Sequence, residues 1–101
     1  MSFEFEWDPA KAVENVKVHG VAFEEALTVF ADPLARILDD PDHSIDEKRE
    51  MIVGRSGRQR LMLVSFTERT PKVRIISARR ATRGERQDYE RDIKEKAQKP
   101  E

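Results

Sequence analysis

Apolar and polar residues alternate at the start of this chain and then change to a helical period. Residues 3–7 read Phe-Glu-Phe-Glu-Trp, which predicts a strand with one buried face. Asp8 and Pro9 predict a helix start, with aspartate as the N-cap and proline in the first turn. Apolar positions then recur at helical spacing as far as Val16, and Gly20 predicts the end of this helix.

A second amphipathic segment follows Gly20. Its apolar residues recur at the spacing of one helix face. They are Phe23, Ala26, Leu27 and Phe30. Asp32 and Pro33 predict the end of this helix, because proline disfavours the helical conformation of the residue before it.

The middle of the chain changes to strand-like segments joined by short connections. Apolar and β-branched residues predict strands at 34–38, 50–55, 60–67 and 72–78. The last three are separated by so few residues that they predict hairpins. The sheet is therefore expected to be mostly antiparallel, with about four to five strands.

A last helix is predicted from Thr82 to about Gln98. Its apolar stripe of Tyr89, Ile93 and Ala97 is narrow, so the C-terminal end is expected to fray. The predicted order is β-α-α-β-β-β-β-α. A meander of strands with segregated helices indicates an α+β fold, formed by one domain over residues 1–101.

Charge is distributed unevenly along the chain. The formal net charge is only −1, but residues 1–50 carry 13 acidic and 5 basic residues, whereas residues 51–101 carry 7 acidic and 14 basic ones. The segment 69–86 is the most basic, with Arg69, Lys72, Arg74, Arg79, Arg80, Arg83 and Arg86. Such a patch indicates a polyanion partner, or pairing with the acidic half of the molecule or of a second copy.

Two arginines stand at a junction between a predicted strand and the last helix. The strand ends at Arg79 and Arg80, and Thr82 and Glu85 then form a capping box that opens the helix. A guanidinium fixed at such a junction presents a rigid fork of donors, which suits a phosphate. The alternative is a structural ion pair, for which Glu24, Glu25 and Glu47 are the candidate partners.

Several classes of protein are disfavoured by composition. The chain has no cysteine, no apolar run long enough to span a membrane, and no basic and apolar leader at its acidic N-terminus. We therefore expect a cytoplasmic protein without a membrane segment. His43 lies in an acidic turn, but no recognised spacing of metal ligands surrounds it, so no metal or other cofactor is expected.

Short motifs spread over the chain resemble those of the BrnT toxin family. Phe-Glu-Trp-Asp-Pro-Ala-Lys-Ala at 5–12 is followed by His-Gly-Val-Ala-Phe-Glu-Glu-Ala at 19–26 and Val-Phe-Ala-Asp-Pro at 29–33. Further matches in the same order lie at 43–44, 47–49, 52–54, 67–69 and 74–79. The resemblance covers roughly residues 3–90, and it rests on several separate motifs.

This resemblance implies a RelE-like fold and a function as the ribonuclease toxin of a type II toxin–antitoxin pair. The implied partner is a BrnA-like antitoxin with a DNA-binding domain. The antitoxin would neutralise the toxin and bind operator DNA, so that the complex represses its own operon. The implied assembly is a dimer or a toxin–antitoxin heterotetramer. Free toxin would cleave RNA without a metal ion and stop translation and growth.

The chain departs from the family pattern at two positions. Val18 stands where a lysine commonly precedes the His-Gly-Val triplet, and Lys17 lies one residue earlier, about 100° around a helix. Phe66 stands where an aromatic hydroxyl often precedes the Thr-Glu-Arg triplet, so a tyrosine acid or base is excluded there.

RNA cleavage by the 2′-hydroxyl needs cations for the phosphorane-like charge and groups that move protons. Arg79 is the first candidate to clamp the scissile phosphate, and Arg69 is the second. Arg74 alternates with the apolar Val73 and Ile75, which indicates that it faces the other side of the sheet. Further RNA or phosphate contacts are predicted for Lys17, Arg74, Arg80 and Arg83.

His19 and Glu47 are the candidate proton carriers. Histidine titrates near neutral pH, but His19 could instead cap the carbonyls at its helix end. Glu47 could instead form a solvated salt bridge with Arg49 or a capping box with Ser44.

Two other functions compete with the ribonuclease. The first is a catalytically inactive interaction module whose basic face binds an acidic protein. The second, a DNA-binding protein in its own right, is the weaker, because no helix-turn-helix spacing occurs and the last helix alternates charges of both signs.

Overall fold

A computed structural model describes residues 4–40 and 48–98 of the chain. The strands are β1 (Glu4–Glu6), β2 (Arg36–Asp39), β3 (Arg49–Arg55), β4 (Leu61–Arg69) and β5 (Lys72–Arg80). The helices are α1 (Pro9–His19), α2 (Phe23–Ala26), which continues as a 3-10 helix (Leu27–Ala31), and α3 (Arg83–Gln98). The predicted order of elements and the α+β class are confirmed. None of the described helices is long and apolar enough to cross a membrane.

The five strands form one sheet in the order β1-β5-β4-β3-β2. All neighbouring pairs are antiparallel except β1 and β5, which are parallel and set Glu6 opposite Arg74. The N-terminal strand thus lies beside the last one. Since β1 has three residues and pairs only with the first part of β5, the second half of β5 has β4 as its neighbour.

Each side of the sheet packs against different helices. On one side, α1, α2 and the 3-10 helix cover the main core, in which Phe30 lies with its ring centroid 5.0 Å from that of Phe66 and 5.1 Å from that of Phe5. On the other side, Tyr89 of α3 packs on Leu61 and Leu63 in a smaller core. Along β4 the side chains alternate between these two sides.

The ends of α1 agree with the sequence prediction. The Asp8 carboxylate accepts a hydrogen bond from the Ala10 N–H at 2.8 Å, and Pro9 begins the helix. Gly20 has φ of 68°, a left-handed conformation that glycine adopts without strain, and its N–H donates to the Val16 carbonyl.

The buried side of α1 differs from the one that its apolar residues indicate. Val13 and Val16 are 58% and 49% exposed, whereas Asn15 is buried. The Asn15 Nδ2 donates to the carbonyls of Val21 and Ala78, each at 2.8 Å, and its Oδ1 accepts from the Ala78 N–H at 3.1 Å. An amide that satisfies backbone groups of β5 is stabilised in the interior, so a polar residue holds the helix against the strand.

Candidate nucleic-acid interface

Basic side chains line one side of the sheet along β4 and β5. Arg69 pairs with Lys72, Thr67 with Arg74, Ser65 with Ser77, and Leu63 with Arg79. Because paired residues share a side and alternate residues of a strand lie on the same side, all these side chains project from one side of the sheet. This is the side on which α3 packs. We call the side chains of Arg69, Lys72, Arg74, Ser77 and Arg79 the cationic face.

Three cations of this face converge on the carboxylate of Glu6. The Arg74 Nη1 lies 3.0 Å from the Glu6 Oε2, and both side chains are about one-third exposed. The Arg69 Nη1 and the Lys72 Nζ each lie 3.9 Å from an oxygen of the same carboxylate. The parallel pairing of β1 with β5 creates this arrangement. It holds three positive groups close together, in the way that a phosphate-binding site requires.

Arg79 forms a bidentate ion pair with a different carboxylate. Its Nη1 and Nη2 donate to the Glu85 Oε1 and Oε2 at 2.8 and 2.9 Å. The hydrogen bonds from Arg79 lower the pKa of Glu85 from 4.5 to about 2, against the opposing effect of burial. They also raise the pKa of Arg79. The guanidinium is therefore fixed in orientation, while 36% of the side chain stays exposed.

Arg79 forms a structural ion pair, which was the alternative to phosphate binding, but its partner is none of the three glutamates that the sequence suggested. The candidate Glu25 pairs instead with Arg60, whose Nε donates to the Glu25 Oε2 at 2.8 Å, and the Ser56 hydroxyl donates to the same oxygen at 2.7 Å. The hydrogen bond from Arg60 lowers the pKa of Glu25 although burial opposes it. Glu25 thus belongs to a partly buried network with Arg60 and Ser56.

The capping box at the start of α3 is present as predicted. The Thr82 N–H donates to the Glu85 Oε1 at 2.8 Å, and the Glu85 N–H donates to the Thr82 Oγ1 at 3.2 Å. Glu85 therefore caps the helix and holds Arg79 with the same carboxylate.

His19 lies at a cavity between α1 and the second half of β5. The cavity has a volume of about 250 Å³. Its lining residues are Lys11, Glu14, Asn15, Val18, His19, Ile76 and Ser77. Ser77 connects this cavity with the cationic face, because it lies on β5 between Arg74 and Arg79. His19 thus lies at a cavity whose wall includes the residue of β5 that stands between these two arginines in the strand.

The remaining predicted residues are distributed around this region. Lys17 is exposed on α1 and is not among the residues that line the cavity. Arg80 pairs with the buried Met62, so it projects from the side of the sheet opposite to Arg79. Arg83 is exposed in the first turn of α3. Glu47 and His43 lie outside the described residues.

The two departures from the family pattern occupy different environments. Phe66 is 4% exposed in the main core, on the side of the sheet opposite to Arg74. Val18 is 65% exposed and lines the cavity beside His19. A change at residue 18 therefore affects the candidate site directly, whereas Phe66 contributes to packing.

Glu6 and Glu85 contact the candidate arginines, and Ser77 lines the cavity with His19, yet none of the three was in the sequence-based set. Glu85 was recognised as a helix cap, and its position six residues after Arg79 is compatible with a contact. The role of Glu6 depends on the pairing of β1 with β5, which brings Glu6 beside Arg74, 68 residues further along the chain. No local signal in the sequence shows such a pairing.

Comparison with known proteins agrees with the resemblance seen in the motifs. A family model described as the ribonuclease toxin BrnT of type II toxin–antitoxin systems matches residues 7–85. The crystal structure of the Brucella abortus ribonuclease toxin BrnT has a similar fold, with a TM-score of 0.62 and 20% sequence identity over 81% of this chain and 100% of that one. A search of curated proteins found no match. The chain belongs to the BrnT family, the ribonuclease toxins of type II toxin–antitoxin systems.

Proposed function

We propose that this chain is a metal-independent endoribonuclease that binds RNA on its cationic face. The carrying observation is the convergence of Arg69, Lys72 and Arg74 on the single carboxylate of Glu6. A phosphate presents several acceptor oxygens to such a group of donors. Membership of the BrnT family supports RNA as the source of those phosphates.

In the proposed reaction, the 2′-oxygen attacks the adjacent phosphorus. A base takes the 2′-proton, the bond from phosphorus to the 5′-oxygen breaks, and an acid returns a proton to that oxygen. The products are a 2′,3′-cyclic phosphate and a 5′-hydroxyl. Arg79 and Arg69 stabilise the charge on the phosphorane-like transition state, and Arg74 binds a neighbouring phosphate. His19 is the first candidate for proton transfer, because it lines the same cavity as Ser77 of β5. Glu47 remains the second candidate.

The cellular role that we propose follows the family. RNA cleavage by the free toxin stops translation and growth in the cytoplasm. A BrnA-like antitoxin neutralises the toxin, and its DNA-binding domain allows the complex to repress its own operon. The complex is a toxin–antitoxin heterotetramer in which operator DNA is contacted only by the antitoxin.

Inducible expression without an antitoxin tests the proposed activity. The wild type should arrest growth, and the purified protein should cleave RNA equally well in the presence of EDTA. Arg79→Ala should remove both effects. Glu85→Gln is the matched control, because it breaks the same ion pair and keeps the guanidinium. Equal loss with both variants would show that Arg79 acts only through the pair, and cleavage abolished by EDTA would contradict the metal-independent reaction.

An inactive interaction module is the second candidate function. The ion pairs of Arg74 with Glu6 and of Arg79 with Glu85 favour it, because both guanidinium groups already bind a carboxylate. An acidic segment of a partner protein would then replace these carboxylates. Normal growth during expression of the wild-type chain, combined with stable folding, would favour this function over the ribonuclease.

A further inference from the structure

The cavity between α1 and β5 combines charged, polar and apolar walls. Lys11 and His19 can donate hydrogen bonds, Glu14 can accept them, and the Ser77 hydroxyl can do both. Val18 and Ile76 add apolar surface. Polar and charged residues thus make up five of the seven that line the cavity, which suits a ligand with both hydrogen-bonding groups and an apolar face.

Two structural devices form this cavity. First, the Asn15 side-chain amide donates to the Ala78 carbonyl and accepts from the Ala78 N–H, which fixes the distance between α1 and β5. Second, β5 carries a bulge: Ser77 pairs with Ser65 and Ile75 pairs with Phe66, so Ile76 has no partner residue on β4. A bulge redirects the side chains around it and is often found beside functional sites. Here it brings Ile76 and Ser77 into the cavity wall.

The size and place of the cavity restrict its ligand. Its volume of about 250 Å³ is below the roughly 300–1,000 Å³ of sites for drug-sized molecules. One aromatic ring system of the size of a nucleobase fits this limit. Ser77 also lies between Arg74 and Arg79 on β5, so a base in the cavity would belong to a nucleotide next to the phosphates that those arginines bind.

We propose that this cavity binds one unstacked nucleobase of the RNA and sets the base preference of cleavage. This inference rests on the proposed ribonuclease function. Val18 and Ile76 contact the face of the base, Glu14 and Ser77 form hydrogen bonds with its edge, and Lys11 binds the neighbouring phosphate. Reading of splayed-out bases by apolar contact and edge hydrogen bonds is the common mode of single-stranded RNA recognition.

Titration of the wild-type protein with the four nucleoside 3′-monophosphates, followed by NMR, tests the proposal without any cleavage. The nucleotides should shift the backbone amide signals of Ile76 and Ser77 and saturate at different concentrations for different bases. Inorganic phosphate alone should shift the signals of Arg74 and Arg79 and leave that of Ile76 in place. Nucleotide shifts that match those of phosphate alone would overturn the proposal.

Val18→Glu and Val13→Glu form a matched pair of variants. Both residues are exposed on α1, at 65% and 58%, so a glutamate is tolerated by the fold at either place. Five residues separate them, which is about 140° around the helix, and only Val18 lines the cavity. We expect Val18→Glu to weaken nucleotide binding about tenfold and Val13→Glu to leave it unchanged, a difference of about 1.4 kcal/mol.

The two proposals can fail separately. If the wild type cleaves RNA but Val18→Glu and Val13→Glu show the same base preference as the wild type, the base-binding cavity is disproved and the ribonuclease stands. If nucleotides bind at Ile76 and Ser77 but the wild type neither cleaves RNA nor arrests growth, the ribonuclease is disproved and the base-binding site stands.

Discussion

The Glu85 carboxylate binds the Arg79 guanidinium through two parallel hydrogen bonds of 2.8 and 2.9 Å. The same carboxylate accepts the Thr82 N–H and so caps α3. The orientation of the principal phosphate-binding candidate and the start of the last helix therefore depend on one side chain. A phosphate that binds Arg79 must compete with a carboxylate already in place, which couples the site to the stability of α3.

The lowered pKa of Glu85 predicts a pH-dependent contribution to stability. Its carboxyl has a pKa of about 2 in the fold against an ordinary value of 4.5. The stabilisation is thus fully present above pH 4.5 and is lost as the pH falls toward about 2. We expect Glu85→Gln to lower the free energy of unfolding by about 1 kcal/mol at pH 7.

Urea unfolding over a pH series measures this contribution. The difference in stability between the wild type and Glu85→Gln should shrink between pH 4.5 and pH 2. Glu90→Gln, at an exposed position of the same helix, is the control and should show no such change. A constant difference across the whole series would rule out the role of the ionised carboxylate.

Asn15 is expected to be the most sensitive polar position of α1. Asn15→Ala leaves the N–H and carbonyl of Ala78 and the carbonyl of Val21 without their side-chain partner. Each unsatisfied buried group costs about 1–3 kcal/mol, so we expect a total loss of about 3 kcal/mol. Asn15→Asp should cost at least as much, because a carboxylate cannot donate to the two carbonyls.

Chemical denaturation of the two Asn15 variants beside Lys17→Ala provides the comparison. Lys17 is exposed on the same helix, and its truncation should change the unfolding free energy by less than about 0.5 kcal/mol. A loss at Asn15 no larger than that at Lys17 would show that the amide does not hold α1 on β5.

Two glycines are predicted to respond to alanine in opposite directions. A Cβ at Gly54 would lie 2.9 Å from the Ala35 Cβ, 3.0 Å from the Val29 Cγ1 and 3.1 Å from the Asp32 Oδ2. Such overpacking costs about 1–3 kcal/mol, so Gly54→Ala should lower the thermal midpoint. A Cβ at Gly84 in α3 would meet no atom within 4 Å, and Gly84→Ala should stabilise the helix by up to about 1 kcal/mol.

Thermal unfolding of both glycine variants decides this prediction. The shifts should have opposite signs. An increase in the midpoint for Gly54→Ala would mean that β3 and the 3-10 helix are packed less closely than the distances to Ala35 and Val29 imply.

Local patterns in the sequence predicted the elements of the fold well. The capping residues Asp8, Gly20, Thr82 and Glu85 act within a few residues of themselves, so their roles can be read from the chain directly. The buried side of α1 could not be predicted in this way. Its apolar stripe indicates burial of Val13 and Val16, but the hydrogen bonds that Asn15 forms with Ala78, 63 residues away, determine which side faces the sheet.

The candidate site was predictable in its residue type and only partly in its geometry. The alternation of β5 correctly separated Arg74 from Val73 and Ile75. The placement of Arg80 opposite to Arg79 follows from the same alternation. By contrast, the carboxylate that Arg74, Arg69 and Lys72 share comes from Glu6. A contact between residues so far apart in the chain depends on the parallel pairing of β1 with β5.

The salt dependence of RNA binding is the most direct test of the cationic face. A single-stranded oligonucleotide with 2′-O-methyl groups cannot be cleaved by 2′-attack, so its affinity can be measured for the wild type at several salt concentrations. For single strands, the slope of log K against log salt changes by about 0.7 for each phosphate contact. The double variant Arg69→Gln/Arg74→Gln should therefore have a slope shallower by about 1.4.

Arg91→Gln is the control for this measurement, because Arg91 is 62% exposed on α3 and pairs with Asp88 outside the cationic face. It should keep the wild-type slope and nearly the wild-type affinity. The account predicts a shallower slope and weaker binding only for the double variant. Equal slopes for the double variant, Arg91→Gln and the wild type would contradict the claim that RNA binds through Arg69 and Arg74.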